Sequence, residues 1–245
     1  MSSFYHFSLT PSFLAHLFKA IFKKHHRELK PVFERYIPNN GVVIDVGGHA
    51  GQFSKMFADI AQQGCIFTFE PATYARTILH TVLFLNKKHN VVVVPAGLGA
   101  HGGCEIINIP LKRKRSLGFG LSHIGDENSG RIVVREPVVL ITLDEFIIKT
   151  GIERVDFIKA DIEGWELKML EGARETLKRF RPTIMIELNE DHLKRAGDSL
   201  ADTWSFLTTI GYSPHCLDEK NVLQNLSQPQ NGDIWWTSNC EPLEE

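Results

Sequence analysis

"VIDVGGHAGQFSKMFA" runs from Val43 to Ala58 and packs three glycines, Gly47, Gly48 and Gly51, into five residues. Val42-Val43-Ile44 before it is β-branched and uninterrupted, the pattern of a strand buried on both faces. After Gly51 the apolar residues Phe53, Met56, Phe57 and Ile60 recur at helical spacing, and Gly64 is a candidate C-cap. The glycines therefore occupy a strand-to-helix turn. Such a turn can merely connect two elements, or it can let bare backbone approach a ligand.

Working outward, strands and helices alternate. Strands are expected at 42–46, 66–70, 91–95, 156–160 and 183–187, with helices at 52–62, 72–86, 143–149, 165–180 and 201–210. Two closing strands are expected at 212–216 and 234–237, separated by a loop. The stretches 104–109 and 131–140 read as β ribbons, and the polar, glycine-containing stretch 112–130 between them as an acceptor lid. Alternation of this kind predicts an α/β, doubly wound and mostly parallel sheet, whose ligands sit at the carboxyl ends of the strands. Those ends carry Asp45, Glu70, Ala96-Gly97, Asp161 and Glu187. Before the turn "PNNG" at 38–41 lies a helical segment, residues 1–40. Its stripe of Phe13, Leu17, Phe18, Ile21 and Phe22 is expected to pack on the sheet's flank, with dimerisation or contact with an anionic membrane surface as alternatives. The remainder, 41–245, reads as one domain with an insertion at about 102–137.

Composition sets outer limits. The chain has 245 residues, 43% hydrophobic and 23% charged, ample for one α/β core. A net charge of −2 gives no global field favouring nucleic acid. The four cysteines show no metal spacing and no framework of disulfides, as expected of a reduced, cytoplasmic protein. No apolar run reaches transmembrane length and no secretory leader pattern precedes the core.

The glycine spacing discriminates between cofactors. A dinucleotide turn requires G-x-G-x-x-G, which Gly47, Gly48 and Gly51 do not satisfy, and an acid at the strand end would repel a diphosphate. S-adenosylmethionine carries no phosphate; it offers an amino group, a sulfonium and two ribose hydroxyls. Asp45 on the first strand and Glu70 ending the second suit those groups. A nucleotide-binding oxidoreductase, or a scaffold that keeps the fold without turnover, remains the alternative.

"VIDVGGHAG", "FTFEPATYARTILHTVLFLNKKHNVVVVPAGLG", "TLDEF" and "DFIKADIEGWELKMLEGA" followed by "PTIMIEL" together resemble the FkbM family of S-adenosylmethionine-dependent methyltransferases, over about residues 41–211. The resemblance implies a class I methyltransferase fold, a seven-stranded sheet with its last strand antiparallel at 234–237. It also implies O-methylation of a hydroxyl on a small-molecule or saccharide acceptor. His49 departs from the family, which more often has Asn there.

Methyl transfer to a hydroxyl calls for alignment and for a base. Asp161 and Glu187 end neighbouring strands and flank the expected methyl position; Glu187 is the first choice for base and Asp161 for the donor's amino group, the acceptor or both. The expected cofactor set is Asp45, Gly47, Gly48, Gly51, Glu70 and Asp161. Glu163 reads as a helix-starting acid. Asp161, Glu163 and Glu187 have the oxygen chemistry for a divalent metal, but the sequence shows no closed ligand set, so none is assigned.

Overall fold

The computed structural model describes residues 3–4, 10–22, 26–110, 123–124 and 133–238. Its strands are β1 (Ser3–Phe4), β2 (Val42–Val46), β3 (Cys65–Phe69), β4 (Val91–Val94), β5 (Gly97–Leu98), β6 (Gly103–Pro110), β7 (His123–Ile124), β8 (Val133–Ile141), β9 (Phe157–Ala160), β10 (Thr183–Leu188), β11 (Tyr212–Leu217), β12 (Leu223–Asn225) and β13 (Gly232–Ser238). Its helices are α1 (Pro11–Phe22), α2 (Lys30–Tyr36), α3 (Gln52–Ile60), α4 (Thr73–Leu85), α5 (Leu143–Thr150), α6 (Glu166–Glu171), α7 (Arg174–Phe180), α8 (Glu190–Arg195) and α9 (Leu200–Thr209).

The main sheet runs β12-β11-β13-β10-β9-β2-β3-β4. From β10 to β4 every pairing is parallel, and β13 inserts antiparallel between β10 and β11. The chain leaves β2 toward β3 and β4, then returns to β9 on the other side of β2. The order thus reverses between β2 and β9, and a crevice opens at their carboxyl ends. The expected seven strands are present, but the sheet has an eighth. Leu223–Asn225 pairs with β11 inside what reads as a loop; three residues are too few for a period to show.

Two apolar layers cover the sheet. Ile44, Val46, Ile158 and Ile186 face α5, α6, α7 and α9, while Val43, Phe157 and Trp235 face α2 and α3. Phe33 of α2 meets Phe57, Phe157 and Trp235 at ring-centroid distances of 5.1, 5.5 and 5.2 Å, fastening the segment before the turn to the sheet. A second, smaller sheet is built on the antiparallel pair β6–β8, with β5 parallel to β8. Glu136 of β8 accepts from Thr73 N (2.8 Å) and so caps α4, tying this sheet to the main one. The expected lid at 112–130 lies outside the described residues except for His123–Ile124, which pair with β6.

Three helical expectations need correction. The helix expected at 165–180 is two helices with a break at Gly172-Ala173. Helix α8 was not expected; Asn189 starts it by accepting from Asp191 N and His192 N. In α1 only part of the apolar stripe packs: Phe13 is buried against Tyr74 of α4, whereas Phe18 and Phe22 are 66% and 65% exposed. The twelve-residue helix carries apolar side chains around more of its surface than one neighbour can cover.

Candidate active site

The crevice at the switch point is a cavity of about 380 Å³. Its floor is the glycine turn. Gly47 N and Gly48 N both donate to Phe69 O, at 3.0 and 3.2 Å, drawing the end of β2 over β3. The approach leaves no room for side chains: a Cβ on Gly47 would lie 2.1 Å from Asp161 O, and one on Gly48 2.1 Å from Thr68 Cγ2. Gly47 also has φ +78, which disfavours any other residue.

At one end of the cavity stands Glu70. Its Oε2 accepts from His49 N (2.7 Å) and its Oε1 from Ala72 N (2.9 Å), so the carboxyl plane is fixed by backbone on both sides. His49 itself takes the left-handed conformation, φ 46. Burial pushes Glu70 up to about 7, against the two N–H donors that favour the charge. An incoming cation or hydroxyl donor would reverse that shift.

At the other end β9 and β10 bring Asp161 and Glu187 together. They share a hydrogen bond. Burial alone would raise Asp161, but the charge of Lys159 and the bond from Glu187 outweigh it and hold Asp161 below its ordinary value. Desolvation, then the Asp161 charge, push Glu187 up to about 8. Glu187 is exposed at the cavity mouth, where water relieves part of the desolvation and the charge of the neighbouring carboxylate acts on it directly. The two carboxyls therefore titrate as a pair and share one proton at neutral pH.

The loop after Asp161 is shaped by Glu166, whose Oε1 accepts from Ile162 N and Gly164 N at 3.1 and 3.2 Å. Glu163, expected to start a helix, instead has φ 58 and points its carboxylate at His192 Nδ1, 2.8 Å away. Gly164, φ +109, packs so closely on α8 that a Cβ would lie 2.2 Å from His192 O. The side walls are apolar: Phe69, Pro71, Leu98, Ile107, Leu140 and Trp165.

Of the expected site residues, Gly47, Gly48, Glu70, Asp161 and Glu187 line one cavity. Asp45 and Gly51 do not. Asp45 is wholly buried beneath α3, accepting from Ser54 Oγ at 2.6 Å, and burial raises its pKa against the charge of Lys159. It sits one residue before the strand end, so its side chain takes the α3 face and not the crevice. Gly51 forms the N-cap of α3 at φ 78. Lys159 is the residue that sequence reading missed. It is 2% exposed, lines the cavity, and places Nζ 3.5 Å from both Asp161 Oδ2 and Gly47 O, with the Phe53 ring centroid at 5.0 Å. The signal was there: a lone charge inside the buried strand Phe-Ile-Lys-Ala. Among the described residues no group of three or more His, Cys, Asp or Glu side chains is placed to hold a metal ion.

Residues 45–214 match the methyltransferase FkbM domain family. This chain belongs to the FkbM methyltransferases. It is 24% identical over 194 residues to the methyltransferase sdnD of Sordaria araneosa, covering 70% of this chain and 73% of that protein. An FkbM methyltransferase structure from Methylobacillus flagellatus superposes with a TM-score of 0.52 at 16% identity, covering 92% of this chain. The chain spans 58% of the length of that structure. An O-methyltransferase from Bacillus cereus, solved in complex with SAH, gives 0.52 at 10% identity, with 94% and 92% of the two chains covered. The fold is that of the class I methyltransferases, and the FkbM domain includes the glycine turn, Glu70, Asp161 and Glu187.

Proposed function

We propose that this FkbM chain binds S-adenosylmethionine in the cavity and transfers its methyl group to a hydroxyl of a small-molecule or saccharide acceptor. One observation carries the reading: a backbone-fixed carboxylate and a hydrogen-bonded pair of carboxyls face each other across a turn stripped of side chains. The donor set fits that cofactor. Glu70, held by His49 N and Ala72 N, offers its remaining lone pairs to the two ribose hydroxyls. Asp161, kept ionised by Lys159, suits the ammonium group. The apolar walls around Phe69, Leu98 and Leu140 suit a purine ring. The family match and the SAH complex of the Bacillus cereus protein support the same choice and do not favour a nucleotide-dependent oxidoreductase.

When bound there, S-adenosylmethionine supplies a methyl group already activated on a sulfonium. The chain's own work is alignment and proton transfer. Glu187, at the mouth, donates its proton to Asp161 and so orients both carboxyls. The pair, and not Glu187 alone, is the base: a hydroxyl hydrogen-bonded to it can pass its proton to whichever oxygen is free. A positioned base of this kind contributes about 10²–10⁴-fold.

Calorimetry with S-adenosylhomocysteine and with NAD tests the cofactor; binding of the first alone is expected, and affinity for NAD alone sinks the reading. Incubation with methyl-labelled donor and fractionated extract then tests the acceptor. A label recovered on oxygen supports O-methylation; one recovered on nitrogen or carbon overturns it.

A further inference from the structure

Helix α1 has two faces. Phe13 and Ala20 are buried toward α4, while Leu14, Phe18 and Phe22, spaced four residues apart, are 57%, 66% and 65% exposed. The rings of Phe18 and Phe22 lie 4.6 Å apart and form one apolar strip. Helix α4 ends in the same way, with Phe84 79% and Leu85 53% exposed. Helix α3 brings these two ends to one side of the molecule. Lys55 Nζ donates to Ala20 O near the end of α1 (2.7 Å), and one turn further along α3 Asp59 pairs with Lys88, just past α4.

Basic side chains stand at these two ends: Lys19 lies in α1 and Lys87-Lys88 follow α4. Lys19 and Lys87 are exposed, and the acid Asp59 is already paired. In a chain of net charge −2 this is a local concentration, not a global field. We propose that the ends of α1 and α4 form a docking face for an anionic membrane surface, with Phe18, Phe22, Phe84 and Leu85 at the boundary of headgroup and acyl chain and the lysines among the headgroups. Large apolar side chains on an uncovered helix face suit the boundary of headgroup and acyl chain, and lysines close to an anionic leaflet add attraction that falls with salt. No helix among the described residues is long and apolar enough to cross a membrane, so the contact is peripheral.

Flotation of the full chain with vesicles of phosphatidylcholine, alone or containing phosphatidylserine, tests this. The chain is expected to float with the anionic vesicles, to stay behind with the neutral ones, and to be released by salt. Two variants act on different terms: Phe18→Ser with Phe22→Ser, and Lys19→Glu with Lys87→Glu. Each is expected to lower the bound fraction about tenfold while leaving the melting temperature and S-adenosylhomocysteine affinity unchanged. All four side chains are exposed; should the serine variant misfold, the charge variant still decides. Absence of flotation, equal flotation on neutral vesicles, or wild-type flotation by a folded variant overturns the proposal. So does a dimer in sedimentation that the serine variant dissolves, since a second copy then covers the strip. Methyl transfer enters none of these readouts, so their failure leaves the proposed chemistry standing.

Discussion

A single buried ammonium organises the acids of the crevice. Lys159 is opposite Asp45 in the β2–β9 register and beside Met185 in the β9–β10 register, so its stem is walled by both neighbouring strands and its charge reaches Asp161 and Gly47 O over the Phe53 ring. Removing it leaves the fully buried Asp45 without a cation and lets burial raise Asp161. Lys159→Met is therefore expected to weaken S-adenosylhomocysteine binding about tenfold or more, roughly 1.4 kcal/mol. It should also introduce a pH dependence, with affinity lost as pH falls because Asp161 then titrates above its ordinary value. Calorimetry at two pH values reads both effects. Unchanged affinity reduces Lys159 to packing; tighter binding shows that it repels the donor's own charge. The rest of the site was legible because strand ends are marked by turn residues, and an acid at such an end has few other uses: Gly47, Gly48, Glu70, Asp161 and Glu187 all followed. Asp45 and Lys159 lie opposite each other, each one residue before the end of its strand, so both take the α3 face. From there the short acid stays beneath α3 while the longer lysine reaches the cavity.

At the scale of elements, the alternation of strands and helices was legible throughout the main sheet, because buried parallel strands and amphipathic helices carry strong, different periods. What escaped was set by tertiary contact. Residues 165–180 hold an unbroken helical pattern, yet Gly172 sits against the 97–99 segment so tightly that a Cβ would lie 2.0 Å from Gly99 O. The chain breaks there, and Asp144 of α5 starts α7 by accepting from Glu175 N, Thr176 N and Thr176 Oγ1 at 3.0, 2.8 and 2.6 Å. A cap supplied from so far along the chain leaves no local signature. Gly172→Ala should improve helix propensity and still destabilise the protein, since the obstacle is backbone; a loss of about 1–3 kcal/mol is expected. Asp144→Ala, leaving three partners unmet, should cost about 1–3 kcal/mol as well. Urea unfolding monitored by circular dichroism measures both, and a stabilised Gly172→Ala would show that the two helices can merge.

Across the whole molecule, the architecture gathers acids at the carboxyl edge of one sheet, and the folded state carries the electrostatic consequence. Burial is the first cause of the raised pKa values of Glu70, Glu163 and Glu166, each about 7, and of Asp45 and Asp233; Glu187 reaches about 8. In the unfolded chain the glutamates return to 4.5. Between those values the native state binds more protons than the unfolded state, so stability falls as pH rises. Each group's contribution is complete below its unfolded value and is lost as pH climbs through its folded value. His215, lowered from 6.5, opposes this only on the acid side of that value, and the lowered Asp161, Asp218 and Glu190 act further below still. The ligand-free protein should therefore melt at progressively lower temperature from pH about 6.5 to about 8.5. S-adenosylhomocysteine carries an ammonium group and ribose donors to this same edge, where they favour the charged forms of Asp161 and Glu70. Its stabilising increment should accordingly be larger at the alkaline end. Scanning fluorimetry across that range, with and without the ligand, reads both slopes. A melting temperature that rises with pH in the ligand-free protein would mean that these carboxyls are already ionised in the fold, and that the one-proton pair at Asp161 and Glu187 does not exist.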